Sequence, residues 1–142
     1  MKGYNSSNFQ EDLAAGDAWI AQAYNGNMTF VMRDEPNLRY VVPREGCTIS
    51  VDCACIPRKA LHKELAEAFI NYFHRPDVAA LFVNDSGFNT PNRYDQKDIE
   101  PWLLRNPAVF PNPASLVHCE FMRDIGSVAQ LYDQYWTEIK AR

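Results

Sequence analysis

The residue whose chemistry stands out most is Asp52, the single charged side chain within residues 47–57. A carboxylate that is buried without a partner is costly, so Asp52 should meet a cation, strong hydrogen-bond donors or water. One interpretation makes it an anchor for the ammonium group of a ligand. The alternative is structural: Asp52 caps a loop or pairs with a nearby arginine such as Arg44. Residue chemistry alone leaves both interpretations open.

The four cysteines, Cys47, Cys53, Cys55 and Cys119, lack the spacings of common zinc sites. Cys53 and Cys55 would share one face of a strand, because side chains two apart point the same way. The favoured interpretation is that they are buried free thiols. A bridge from one of them to Cys119 stays open if the compartment is oxidising. We expect neither a metal nor a cofactor.

An enzyme would need a catalytic constellation, and the sequence offers none. His62 lies on the polar side of a predicted helix and His74 at its end, so both are expected at the surface. His118 adjoins Cys119, but a thiol nucleophile needs its base close in space, and neighbouring side chains usually point apart. The motifs G-x-S-x-G, H-E-x-x-H, G-x-G-x-x-G and the P-loop do not occur. We expect no catalysis, with a cysteine-dependent enzyme as the minor alternative.

Composition predicts a globular protein that does not bind nucleic acid. The chain has 142 residues, 46% hydrophobic and 23% charged, which suffices for a core. Its net charge of −4 offers no basic stripe for nucleic acid. No run approaches the ~20 apolar residues of a membrane span, and segment 1–9 lacks the apolar centre of a signal peptide. A chain cut from a longer precursor would look the same, so the compartment stays open.

Hydrophobic periodicity predicts the mixed order α-β-α-β-β-α-α-loop-α. Helices are predicted over residues 9–15, 28–33, 60–73, 76–84 and 127–140. Strands are predicted over 17–24, 38–42 and 48–56, the first of them buried on both faces because it is almost continuously apolar. Prolines keep 88–113 free of long elements. A three-stranded sheet leaves apolar faces without partners, and self-association would be one way to cover them.

Several segments in order resemble bacterial polyamine-binding proteins of ABC transporters. Residues 16–27 resemble that family's G-x-x-x-x-x-x-a-[WY]-x-G segment, and 40–46 its P-[KR]-E-G loop. Asp52 and the Ile56-Pro57 pair follow at the family's spacing. Residues 69–79 resemble its helix pair, 90–92 a loop, and 132–140 its terminal helix. Each motif is short, but their order and spacing together cover the chain from about residue 9 to its end.

The resemblance implies an α/β fragment of a two-lobed periplasmic-binding-protein-like (type II) fold, whose N-terminal part is absent here. Residues of about 9–50 and 97–142 would belong to one lobe, and about 51–96 would cross to the other. The implied function is capture of spermidine or putrescine for ABC permease subunits, in the periplasm or lipid-anchored outside the inner membrane. The alternatives are a receptor for another small cationic or amino-acid-like solute, or a module without a ligand that self-associates as a homodimer.

The resemblance also implies five ligand contacts. Asp52 matches the acid that holds a ligand amine. Tyr24 and Phe88 fall at aromatic positions beside the aliphatic chain of the ligand, Phe88 replacing the usual tyrosine. Ser50 stands where an aromatic is expected, and Met122 where a spermidine binder has glutamine. These last two departures leave the identity of the ligand open, and a second acid is expected outside this chain.

Overall fold

The structure is a computed structural model that describes residues 3–4 and 7–141. The described elements are α1 (Phe9–Ala14), α2 (Asn25–Asp34), β1 (Thr48–Ile49), α3 (Lys63–Phe73), α4 (Pro76–Ser86), α5 (Pro101–Leu104), β2 (Glu120–Phe121) and α6 (Ala129–Lys140). Short 3-10 helices lie at Pro113–Leu116 and Gly126–Val128. The two strands pair in parallel, Thr48 opposite Glu120 and Ile49 opposite Phe121. The described part of the chain is therefore mostly helical around one short parallel pair.

All five predicted helices are confirmed, with boundaries that shift by a few residues. Helix α4 begins with Pro76, whose missing N–H falls where no intrahelical acceptor exists. It ends at Gly87, which adopts the left-handed conformation with φ of 72°. Helix α2 begins earlier than predicted, at Asn25, and α3 later, at Lys63. Local signals of this kind set helix ends, which is why these predictions hold.

The strand predictions are mostly wrong. Residues 17–24 pair with no strand in the described part of the chain, and Trp19 and Ile20 are 93% and 91% exposed. Residues 38–42 are likewise unpaired, and the strand predicted over 48–56 shrinks to Thr48–Ile49. An apolar run favours burial, but a strand forms only where a neighbouring strand completes its backbone hydrogen bonds. The described residues supply that neighbour for β1 alone.

The core is small and lies where α4 meets α5 and the loop after it. Its buried members are Ala80, Val83, Ile99, Leu103 and Val109, with Trp102, Leu104 and Phe110 packed against them. Helix α2 joins this core through Thr29, whose buried hydroxyl donates to the carbonyl of Gly87 at 3.1 Å. Burial of these side chains fixes α2, α4 and α5 against one another.

Two helices present apolar stripes to solvent. On α3, Leu65 is 68% and Phe69 64% exposed. On α6 the stripe is formed by Leu131, Tyr132, Tyr135, Trp136 and Ile139, all of them exposed. Amphipathic helices normally bury such a stripe. Within the described residues both stripes stay largely exposed.

Candidate ligand-binding site

The first group of predicted contacts lies at the start of α2. Tyr24 is the residue that precedes α2, with an extended backbone (φ −74°, ψ 140°) and an exposed side chain. The half-buried ring of Phe88 packs directly on the first turn of α2, because a Cβ added to Gly26 would overlap that ring. The two aromatic positions predicted to line the ligand therefore come to the same end of one helix.

Hydrogen bonds hold Phe88 at this position. The backbone N–H of Phe88 donates to the hydroxyl of Ser86 at 3.2 Å, and that hydroxyl donates to the carbonyl of Phe82 at 2.7 Å. The Asn25 side-chain amide donates to the carbonyl of Ala108 at 2.9 Å, which anchors the start of α2 to the loop after α5. Both aromatic positions thus rest on elements that the core holds in place.

The second group lies at the carboxyl ends of the two strands. Ser50 directly follows β1 and Met122 directly follows β2. The N–H of Met122 donates to the carbonyl of Ile49 at 2.8 Å, so the ladder extends one step and sets Ser50 beside Met122. Ligands of α/β proteins bind outside the carboxyl ends of parallel strands. The two positions that depart from the family pattern are therefore neighbours at an edge suited to a ligand.

Asp52 lies two residues beyond Ser50 in an exposed segment that is neither helix nor strand. Among the described residues it has no hydrogen-bond or ion-pair partner, so the structural alternative of a pair with Arg44 is not realised there. Its carboxylate meets water. Cys53 and Cys55 beside it are exposed, which makes the prediction that they are buried wrong. The segment has neither a paired strand nor a helix to cover it.

A cavity of about 310 Å³ lies away from these residues, beside α2 and α5. Two arginines, Arg33 and Arg39, line it together with Tyr40 and Trp102. The Arg33 guanidinium stands over the Trp102 ring, 5.5 Å from its centroid. A polycation would meet like charges there, and the Trp102 ring already faces a guanidinium. The cavity is therefore not the site that the sequence predicts.

Sequence reasoning missed the contact between Cys47 and Cys119. Their sulfur atoms are 3.3 Å apart, although the residues are 72 positions apart in the chain. Burial first, and then the hydrogen bond and the nearby charge of Cys119, raise the pKa of Cys47 above its ordinary value. Burial also raises the pKa of Tyr40, with smaller contributions from both cysteines. Only the pairing of β1 with β2 brings the thiols together, and no local sequence pattern predicts that pairing.

The histidines behave as predicted. His62 and His74 are exposed, as expected for surface residues. The sulfur of Cys119 contacts the sulfur of Cys47 and the carbonyl of Ser115, the latter at 3.7 Å.

In the described ranges 3–4 and 7–141, no three His, Cys, Asp or Glu side chains are grouped to hold a metal ion. None of the helices described is long and apolar enough to cross a membrane.

Comparison with known proteins assigns the chain to a family. The family model for bacterial extracellular solute-binding proteins matches residues 1–111. The chain belongs to this family. Its mostly helical fold with one parallel strand pair is a partial α/β fold of such a solute-binding protein, which confirms the predicted fold class.

Named members of the solute-binding protein family match nearly the whole chain. Spermidine/putrescine-binding periplasmic protein 1 of Haemophilus influenzae is 29% identical over 138 residues, 97% of this chain and 38% of that protein. The spermidine/putrescine-binding periplasmic protein of Escherichia coli K12 is 28% identical over 141 residues, 99% of this chain and 40% of that protein. The putrescine/cadaverine-binding protein of Pseudomonas aeruginosa is 27% identical and covers 98% and 41%. The chain spans about two fifths of the length of these relatives.

Proposed function

We propose that this solute-binding protein captures a polyamine outside the inner membrane and delivers it to ABC permease subunits. The observation that carries the proposal is the match of nearly the whole chain to proteins named for binding spermidine, putrescine or cadaverine. The periplasmic location rests on the names of the Haemophilus influenzae and Escherichia coli relatives.

The chemistry of the five candidate residues fits such a ligand. A polyamine alternates ammonium groups with methylenes, so it needs carboxylates at set distances and apolar walls between them. Tyr24 and Phe88 would supply walls, since each buried methylene contributes about 0.8 kcal/mol and a cation over an aromatic ring about 0.5–2 kcal/mol. Asp52 would supply the negative charge that holds one ammonium group.

The exposure of Asp52 indicates that the site needs a second surface. An ion pair in water contributes only about 0–1 kcal/mol, so the carboxylate can hold an amine tightly only when another part of the receptor excludes water from it. Closure of a second lobe over Asp52 would do this. In this proposal residues of about 9–50 and 97–142 form one lobe and about 51–96 cross to the other. The core in which Val83 packs with Leu103, and the contact of Thr29 with Gly87, join the two parts.

Two neighbouring residues favour a second candidate within the same class, a receptor for another small cationic solute. Ser50 and Met122, the departures from the polyamine-binding pattern, lie side by side at the ends of β1 and β2. A serine beside a methionine removes an aromatic wall and an amide from one place in the site. A shorter or differently substituted amine would fit such a change.

We propose no catalytic role. The relatives are named as binding proteins, and the raised pKa of Cys47 leaves less thiolate at neutral pH than an ordinary thiol has. Rapid alkylation of Cys47 by iodoacetamide at neutral pH, ahead of the exposed Cys53, would contradict this.

Calorimetry on the complete receptor tests the function and the site together. We expect heat of binding with putrescine or spermidine and little with arginine. Asp52→Ala should weaken polyamine binding by roughly thirty-fold or more, because the ammonium group loses a desolvated partner. Asp133→Ala, an exposed acid on α6, is the matched control and should bind like the unmodified protein. Unchanged affinity in Asp52→Ala would remove the site assignment, and no heat with any polyamine would remove the function.

A further inference from the structure

Cys47 and Cys119 occupy matching positions on neighbouring strands. Each precedes its strand by one residue, so they continue the register in which Thr48 faces Glu120. Neighbouring strands lie about 4.7–4.9 Å apart, which falls within the range of about 4.4–6.8 Å between Cα atoms that a disulfide spans. The sulfur atoms already face each other at 3.3 Å. Bond formation therefore requires only that the two side chains close, without movement of the strands.

The backbone around the two thiols is built for close approach. The N–H of Glu120 donates to the carbonyl of Cys47 at 3.0 Å. This hydrogen bond holds the backbones of Cys47 and Glu120 side by side. Gly46 has a φ of 107°, and a Cβ there would overlap the carbonyl oxygen of His118. The chain thus uses a glycine where any side chain would push the two cysteines apart. Cys119 is held from its other side by a turn in which its N–H donates to the carbonyl of Leu116 at 3.0 Å.

We propose that Cys47 and Cys119 form a disulfide that ties β1 to β2. The oxidant is an external disulfide. One cysteine thiolate attacks this disulfide, which forms a mixed disulfide with the protein and releases one thiol. The second cysteine thiolate then attacks the protein sulfur of the mixed disulfide and releases the second thiol. Two protein S–H bonds break, one protein S–S bond forms, and the two electrons and two protons appear on the two released thiols. That the compartment is oxidising and supplies this reagent rests on the proposed function. The geometry that places the two thiols together is independent of it.

The bridge would stiffen the strand ends that carry candidate ligand contacts. Ser50 lies three residues after Cys47, and Met122 three residues after Cys119. A covalent tie immediately before both strands holds their register and limits the motion of the two strand ends. Cys53 and Cys55 take no part, since they are exposed and their sulfurs each lie near a carbonyl two residues back, at 3.8 Å.

Peptide mapping of the complete receptor tests the bridge. The protein is equilibrated in a glutathione redox buffer that contains oxidised glutathione, alkylated without reduction, and digested with trypsin and an aspartate-directed protease. Cleavage before Asp52 separates Cys47, in peptide 45–51, from Cys53 and Cys55, in peptide 52–58. We expect peptide 45–51 linked to peptide 106–123 as the dominant species, and its loss when the sample is reduced. Peptide 52–58 linked to 106–123, or alkylation of both Cys47 and Cys119, would overturn the proposal.

Two variants, one that keeps the bridge and one that loses it, separate the effect of the bridge from an effect on folding. The double variant Cys53→Ser/Cys55→Ser should retain the linked peptide, and reductant should lower its melting temperature by several degrees. Cys47→Ser should lose the link, leave Cys119 alkylated, and melt at one temperature with or without reductant. Equal sensitivity of both variants to reductant would count against the bridge. Since the map involves no polyamine, a bridged protein that binds none would remove only the proposed function.

Discussion

At the scale of single residues, close contacts decide what the candidate site can tolerate. Gly26 and Gly46 each stand where a Cβ would overlap a neighbour, the Phe88 ring in one case and the His118 carbonyl in the other. Both glycines lie in segments that resemble the family, Gly26 in 16–27 and Gly46 in 40–46, but the sequence does not show what either one contacts. They allow Phe88 to rest on α2 and Cys47 to reach Cys119, so their roles appear only once the partners are in place.

Gly26→Ala should destabilise the protein through Phe88. Alanine favours a helix over glycine by about 1 kcal/mol, but overlap with a packed ring costs about 1–3 kcal/mol, so the net change should be a loss. In a Phe88→Ala background the overlap disappears, and Gly26→Ala should become neutral or stabilising. Urea unfolding of the four proteins measures this coupling. An identical effect of Gly26→Ala in both backgrounds would show that the ring does not rest on α2.

At the scale of elements, helices were predictable and strands were not. The proline that opens α4 and the glycine that ends it act within a few residues of the chain, so the sequence displays them. The strand predicted over 17–24 needed a hydrogen-bonded neighbour that the described residues do not provide. The apolar stripes of α3 and α6 were recognisable, but whether they are covered depends on other surfaces.

The stripe of α3 should matter only in the complete receptor. Leu65 is 68% exposed here, so Leu65→Gln should change the free energy of unfolding of this chain alone by less than about 0.5 kcal/mol. If the rest of the receptor covers the stripe, the same change should cost about 1–3 kcal/mol there. Glu64→Gln, an exposed neighbour in the first turn, is the control. It removes a charge that favours the helix N-terminus and should cost the same, about 0.3–1 kcal/mol, in both proteins. Chemical denaturation of both proteins makes the comparison, and equal small effects would mean that the stripe stays uncovered.

At the scale of the whole molecule, the proposed function gives this chain part of a binding site. It spans about two fifths of its relatives. Four of the five candidate contacts form two groups at ends of elements, Asp52 lies two residues beyond Ser50, and the five are largely open to water. A polyamine has at least two ammonium groups, whereas Asp52 is the one acid among the five. The remaining charge and the cover for Asp52 have to come from another surface.

This chain alone should therefore bind putrescine at least about a hundred-fold more weakly than the complete receptor does. The expected loss corresponds to about 2.7 kcal/mol, the scale of one desolvated ion pair. Calorimetry of both proteins in the same buffer measures the difference. Comparable affinities would mean that the two groups of residues suffice without a second lobe, and would contradict the incomplete site.

The sequence by itself determined the family, the helices and the identity of the candidate contacts, because order, spacing and helix-end signals are properties of the linear chain. The tertiary structure alone decided which of these residues meet. It places Ser50 beside Met122. It packs Phe88 against Gly26, which lies two residues after Tyr24. It also brings Cys47 into contact with Cys119, 72 positions away in the chain. The physical reason is that parallel pairing and close packing join segments far apart in sequence, and no periodicity within either segment records its partner.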